Sequence, residues 1–111
     1  MTLSGKQLKL ITNGITDIHV NLEWDHGRGL IDKQDNADCR GFSVYFNVLI
    51  HGDCVKMGSP GFMEEQVYSE PTFTTDILDI MVYDSGGDKL EMTQKQYKSI
   101  QHNLLQNIYP S

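Results

Sequence analysis

The spacing of apolar and polar residues changes character twice along this chain of 111 residues. Near each end the same short order recurs: apolar, Ser or Thr, any residue, Lys, Gln, apolar. It reads Leu3-Ser4-Gly5-Lys6-Gln7-Leu8 in one place and Met92-Thr93-Gln94-Lys95-Gln96-Tyr97 in the other. A hydroxyl followed three residues later by Gln satisfies two backbone N–H groups reciprocally, and the flanking apolar residues close over the turn. Each stretch therefore predicts a helix start. The first helix is short, because Asn13-Gly14 follows within ten residues and suits a left-handed C-terminal cap. A rival reading makes Asn13-Gly14 a type I′ turn between strands 8–12 and 15–18. The second helix runs from Thr93 to about Ile108, with Tyr97, Ile100, Leu104 and Ile108 on one stripe and Pro110 beyond it.

Between the helices the period is two. Ile18, Val20, Leu22 and Trp24 alternate with polar residues, which predicts a strand over 15–24 with one wet face. Phe42, Val44, Phe46, Val48 and Ile50 form a second strand, better covered on both sides. A third, over 73–83, is apolar on both faces around Ile77-Leu78 and Ile80-Met81-Val82, which suggests a central position. Gly86-Gly87 turns the chain toward a short strand at 89–92. A turn over 57–62 precedes an edge strand at 65–69. The expected architecture is α+β: a mainly antiparallel sheet of about four strands, with a short N-terminal and a longer C-terminal helix packed on one face.

Composition adds bounds. The length suits one domain, 1–111, and 39% hydrophobic with 22% charged residues is ordinary globular usage. No apolar run approaches the roughly 20 residues of a membrane span, and no signal-peptide pattern opens the chain. The expectation is a cytoplasmic protein with no membrane contact, in which Cys39 and Cys54 are free thiols.

Residues 25–41 stand out. If the strands before and after pair as a hairpin, they form a 17-residue loop, longer than compact domains usually keep without a use. It carries His26, Arg28, Asp32, Asp38 and Arg40, and Arg28 between two glycines is free to approach an anionic group. The plainer reading is a surface excursion. Metal binding fails a geometric test in that hairpin. His26 and Cys39 sit at one end and His51 and Cys54 at the other, roughly 30 Å away over nine strand residues. Tetrahedral zinc needs four donors within about 2.3 Å of one ion. No metal site, cofactor or catalytic residue is assigned. Hydrolase motifs are missing, and Asp25-His26 as a base pair is weak because strand neighbours point apart. Tyr45, Tyr68 and Tyr83 lack adjacent Lys or Arg and read as core or interface aromatics.

The net charge is −6, from nine Lys and Arg against 15 Asp and Glu, which disfavours direct nucleic-acid binding. It is unevenly spread. Residues 1–63 contribute −1 and residues 92–111 contribute +2. Residues 64–91, with Glu64, Glu65, Glu70, Asp76, Asp79, Asp84, Asp88 and Glu91 against Lys89, contribute −7. Such a stretch can steer a basic protein surface toward it, or can serve solubility alone. The layout of strand 15–24, Glu70-Pro71, an apolar strand, Gly86-Gly87 and the helix start at Met92 resembles small accessory proteins of bacteriophages and related mobile elements. That resemblance implies a binding protein that modulates a host partner and assigns no site residues. The expectation is a non-enzymatic module, acting through loop 25–41 (His26, Arg28, Asp32, Asp38, Arg40) or the acidic segment (Glu64, Glu65, Glu70, Asp84, Asp88). It could inhibit a nucleic-acid-processing enzyme. Rival readings are a small enzyme or metal-dependent binder built on His26, Arg28, Asp32 and Asp38, and a homo-oligomer joined by an edge strand.

Overall fold

In the computed structural model, which describes residues 2–54, 56–57, 67–68 and 70–111, both capping boxes close. Gln7 N–H donates to Ser4 Oγ at 3.1 Å and Ser4 N–H to Gln7 Oε1 at 2.9 Å. Thr93 and Gln96 repeat the pattern at 3.2 and 2.9 Å. The resulting helices are α1 (Gly5–Gly14) and α2 (Gln94–Asn107). Gly14 is the last helical residue rather than a left-handed cap. Ile15 follows in extended conformation, and its N–H donates to Ile11 O at 3.1 Å. The glycine is needed for closeness instead, since a Cβ there would lie 3.2 Å from Cys39.

The strands, in chain order, are β1 (Ile18–Val20), β2 (Glu23–Asp25), β3 (Arg28–Cys39), β4 (Phe42–Asp53), β5 (Lys56–Met57), β6 (Val67–Tyr68), β7 (Thr72–Tyr83), β8 (Lys89–Leu90) and β9 (Ile108–Pro110). The main sheet is antiparallel with five strands in the order β2-β3-β4-β7-β8, one more than expected. Beside it, β1 pairs in parallel with β9, and β5 pairs antiparallel with β6. Of the edge strand expected at 65–69, Val67 and Tyr68 are seen as β6. The turn expected over 57–62 lies outside the described residues except for Met57.

Residues 25–41 are not a loop. They hold the twelve-residue strand β3, bounded by two tight turns, His26-Gly27 and Arg40-Gly41. All four turn residues have positive φ, at 49°, 82°, 50° and 90°. That is the handedness that matches the right-handed twist of paired strands, and glycine adopts it without steric cost. β3 lacks an apolar period because it is an edge along most of its length, β2 covering only Arg28 to Leu30. Its inward row even carries Lys33 and Asp35, paired at 3.6 Å. Charges placed this way protect an open edge from adding another strand.

The strand expected over 15–24 is divided. Its first part joins the small parallel sheet and its second part joins β3, with Leu22 N–H donating to Ser111 O at 2.9 Å between them. Val20 and Leu22 are buried throughout, so the alternation recorded the burial and not the pairing partner.

The central strand is β4, whose inward row Val44, Phe46, Val48 and Ile50 is fully buried. It shares one core with Ile11 of α1, Ile100 and Leu104 of α2, and Ile77, Ile80 and Val82 of β7. β7 is not central, because β8 borders it only at Val82 and Tyr83. Its two-sided apolar run comes from a bulge. Tyr45 pairs with Met81 but Asn47 with Leu78, so Asp79 and Ile80 both oppose Phe46. The extra residue lets Ile77 and Ile80 face the same core. Side chains of α2 satisfy the strand edge there: Tyr97 Oη accepts from Ile80 N–H at 3.3 Å, and Gln101 Nε2 donates to Ile77 O at 2.7 Å.

The molecule measures 64 × 21 × 19 Å with a radius of gyration of 18.1 Å, against about 13 Å for a compact chain near this length. The β3–β4 hairpin, about 40 Å long at 3.4 Å per residue, accounts for much of that length.

Candidate functional site

Alternation along β4 leaves Ser43, Tyr45, Asn47 and Leu49 half-exposed on the side opposite the core. The register extends this open row on both sides. Asp32 lies beside Leu49 and Asp76, Gln34 beside Asn47 and Leu78, Asn36 beside Tyr45 and Met81, and Asp38 beside Ser43 and Tyr83. Strands about 4.8 Å apart thus carry acids from residues 25–41 and from the acidic segment onto one face. Two segments that are remote in sequence become the two flanks of one surface.

At the end of this face near the Arg40-Gly41 turn lies a groove of about 660 Å³. It is lined by Gln34, Gly41, Ser43, Tyr45, Met81, Tyr83, Asp84, Ser85 and Gly87. The Tyr45 and Tyr83 rings meet edge to face, 5.5 Å apart at 85°. Tyr83 Oη donates to Met81 Sδ at 3.9 Å, which braces the ring. Asp84 Oδ1 accepts from the N–H groups of Gly86 and Asp88, both at 2.9 Å, so the carboxylate is held by its own turn. On the other rim Ser43 Oγ donates to Asp38 Oδ1 at 3.5 Å.

Of the ten residues that the sequence singled out, the groove end of the sheet gathers Asp38, Arg40, Asp84 and Asp88. Arg40 sits in the turn itself, and its Cγ lies on the α1 side, where a Cβ on Gly14 would be 3.2 Å away. Asp32 is halfway along β3. His26 and Arg28 are at the far end, where His26 Nε2 is 3.3 Å from Asp25 Oδ1 with both side chains almost fully exposed. Arg28 pairs across the sheet with Asp53 and lines a second cavity of about 590 Å³ with Glu23, Asp25 and His51. Glu70 is exposed next to β7. Glu64 and Glu65 lie outside the described residues.

His26, Arg28, Asp32 and Asp38 are therefore spread along the hairpin and not brought together at one place. Arg28 and Asp38 are ten residues apart on one extended strand, roughly 33 Å. The expected arrangement of histidines and cysteines changes too. Cys54 N–H donates to Gly27 O at 2.7 Å, so Cys54 shares an end with His26 and His51, while Cys39 is at the other end. Both cysteines are free thiols. Among the described residues, no three or more His, Cys, Asp or Glu side chains are grouped to hold a metal ion, and no helix is long and apolar enough to cross a membrane. Burial, aided by the negative charge of Asp38, raises the Cys39 thiol pKa from 9.0 to about 11, which makes it a poor nucleophile.

Sequence reasoning missed Gln34, Ser43, Tyr45, Met81 and Tyr83 as a group. The signal was the odd-numbered row of β4, which is more polar than the even row and so marks the side away from the core. Compared with family models, curated proteins and solved structures, the chain matches none.

Proposed function

We propose that this protein is a non-enzymatic interaction module that binds and modulates a protein partner through the open face of its sheet, with both helices backing the opposite face. The target is a basic surface, for example that of a nucleic-acid-processing enzyme, which the module would occlude. One observation carries the reading. Asp32 and Asp38 of β3 flank the row Ser43, Tyr45, Asn47, Leu49 on one side, and Asp76 of β7 with Asp84 just beyond it flanks that row on the other. The face thus combines aromatic and aliphatic contact area with an excess of acids, Lys89 beside Tyr83 being the cation among them. Complementary charge of this kind raises association rates and excludes wrong partners, with a strong dependence on salt. The resemblance to bacteriophage accessory proteins makes a host protein the natural target.

The test compares partners captured from host lysate by the wild type and by an Asp32→Lys/Asp76→Lys variant, at low and raised salt. The reading expects a stoichiometric partner that the variant loses and that salt weakens. A partner retained equally by both proteins, or the lack of any partner at low salt, rejects it.

A further inference from the structure

We infer that the groove beside the hairpin turn is the seat for one arginine side chain of the partner. This rests on the reading of the open face given above and names the chemistry that the face would recognise. Tyr45 and Tyr83 stand nearly perpendicular, at 85° and 5.5 Å, and so present two walls of different orientation. A guanidinium is planar and weakly hydrated, with five N–H donors at its rim. It can lie flat on one ring while its rim turns toward acceptors, the geometry in which cation–π attraction and hydrogen bonds act together.

Acceptors surround those walls. Asp84 commits Oδ1 to the N–H groups of Gly86 and Asp88, and Oδ2 takes neither bond. Gln34 and Ser85 supply a carbonyl and a hydroxyl oxygen. None of the residues lining the groove is Lys or Arg; Lys89 stands beside the Tyr83 wall, outnumbered by Asp38, Asp84 and Asp88 at this end, and the stem of Arg40 lies on the α1 side against Gly14. The groove is therefore complementary to a cation and repels phosphate, which sets a basic protein segment above a nucleic acid as occupant. Its roughly 660 Å³ holds a whole arginine side chain and part of the backbone that carries it.

The experiment titrates the isotopically labelled full-length chain with the peptide Gly-Ser-Gly-Arg-Gly-Ser-Gly, capped at both ends, and with the same peptide carrying citrulline. Citrulline keeps the shape of arginine and removes its charge. The expected result is saturable shifts confined to the amides of 41–45 and 81–87, with arginine bound about fivefold more tightly than citrulline. Two variants, Tyr45→Leu within the sheet and Ser85→Lys in the exposed turn, should each erase that preference. Equal binding of the two peptides, or shifts that fall along Asp32 and Asp76 and miss the groove, overturns the arginine seat. The wider reading is separable. A partner lost with Asp32→Lys/Asp76→Lys but kept by Tyr45→Leu and Ser85→Lys leaves the open face standing and rejects the groove as its anchor.

Discussion

Trp24 lies across the inward face of the hairpin where two strands carry glycine opposite glycine, Gly29 beside Gly52. The indole fits because neither residue has a side chain. A Cβ on Gly52 would be 2.6 Å from Trp24 Cη2, 3.0 Å from Phe73 Cε1 and 3.1 Å from Leu22 Cδ2. Gly52→Ala therefore forces the ring to lift. Overpacking of this kind costs about 1–3 kcal/mol, and alanine returns about 0.5–1 kcal/mol because it is less flexible than glycine in a strand. The net expectation is a loss of about 1.5 kcal/mol, held down because Trp24 is 39% exposed and has room to move outward. In a Trp24→Ala background the worst contact is gone, and the other two need yield only a few tenths of an ångström. There Gly52→Ala should be close to neutral, a coupling of about 1.5 kcal/mol in a double-mutant cycle. Urea unfolding of the four proteins followed by circular dichroism measures it. Because Trp24 is the single tryptophan, its emission should also shift to the red in Gly52→Ala. If the substitution costs as much without Trp24 as with it, the indole is not what the glycine accommodates, and the argument fails.

Gln96→Ala should destabilise by about 2 kcal/mol and Gln7→Ala by under about 1 kcal/mol in thermal unfolding. Both lose a capping bond, but Gln96 Nε2 also donates to Leu3 O at 2.8 Å, tying the N-terminus to α2. Tyr97→Phe removes the acceptor of the bulge amide of Ile80 and should cost about 1–2 kcal/mol, with faster hydrogen exchange at that amide; unchanged exchange would contradict it. The Cys39 thiol pKa is raised in the folded state, so its neutral form favours folding below pH 9, and that contribution is lost as pH climbs from 9 toward 11. The loss is on the order of 2 kcal/mol and should vanish in Cys39→Ala. Replacing both Lys33 and Asp35 by Val strips the charges from the inward row of the edge and frees Asn36 N–H, which Asp35 Oδ1 accepts at 2.8 Å. Light scattering should then show concentration-dependent association beyond that of the wild type.

What could be read from the chain was what depends on near neighbours. Each helix start is a bond pair across three residues, so Ser4 with Gln7 and Thr93 with Gln96 announce themselves without any knowledge of the fold. The buried row of β4 was equally plain, because a central strand with one core face must alternate. β3 was hidden for the converse reason. Solvent meets its outer row and the middle of its inward row, so only Ile31, Ala37 and Cys39 mark the core side, and Asp32-Lys33-Gln34-Asp35-Asn36 reads as a loop. The turns were the available signal. His26-Gly27 and Arg40-Gly41 each offer a second residue able to take positive φ, and the twelve residues between them equal the length of β4.

The site was harder to see, because it exists only after strands are aligned. The count of acids in 64–91 located half of it, but the other half sits on β3 and joins only through the register of β4. The geometry then sets how the halves act. Between Ser43 and Leu49 the open row of β4 has no ionisable group except Tyr45, so the carboxylates of β3 and β7 face each other two strand spacings apart, roughly 10 Å. That is about the Debye length at 0.1 M salt. At low ionic strength the two flanks add to one field, which an approaching cation feels from either side of the row. At 1 M salt, where screening shortens to about 3 Å, each flank acts only on what touches it, and the tyrosine walls between them carry the contact.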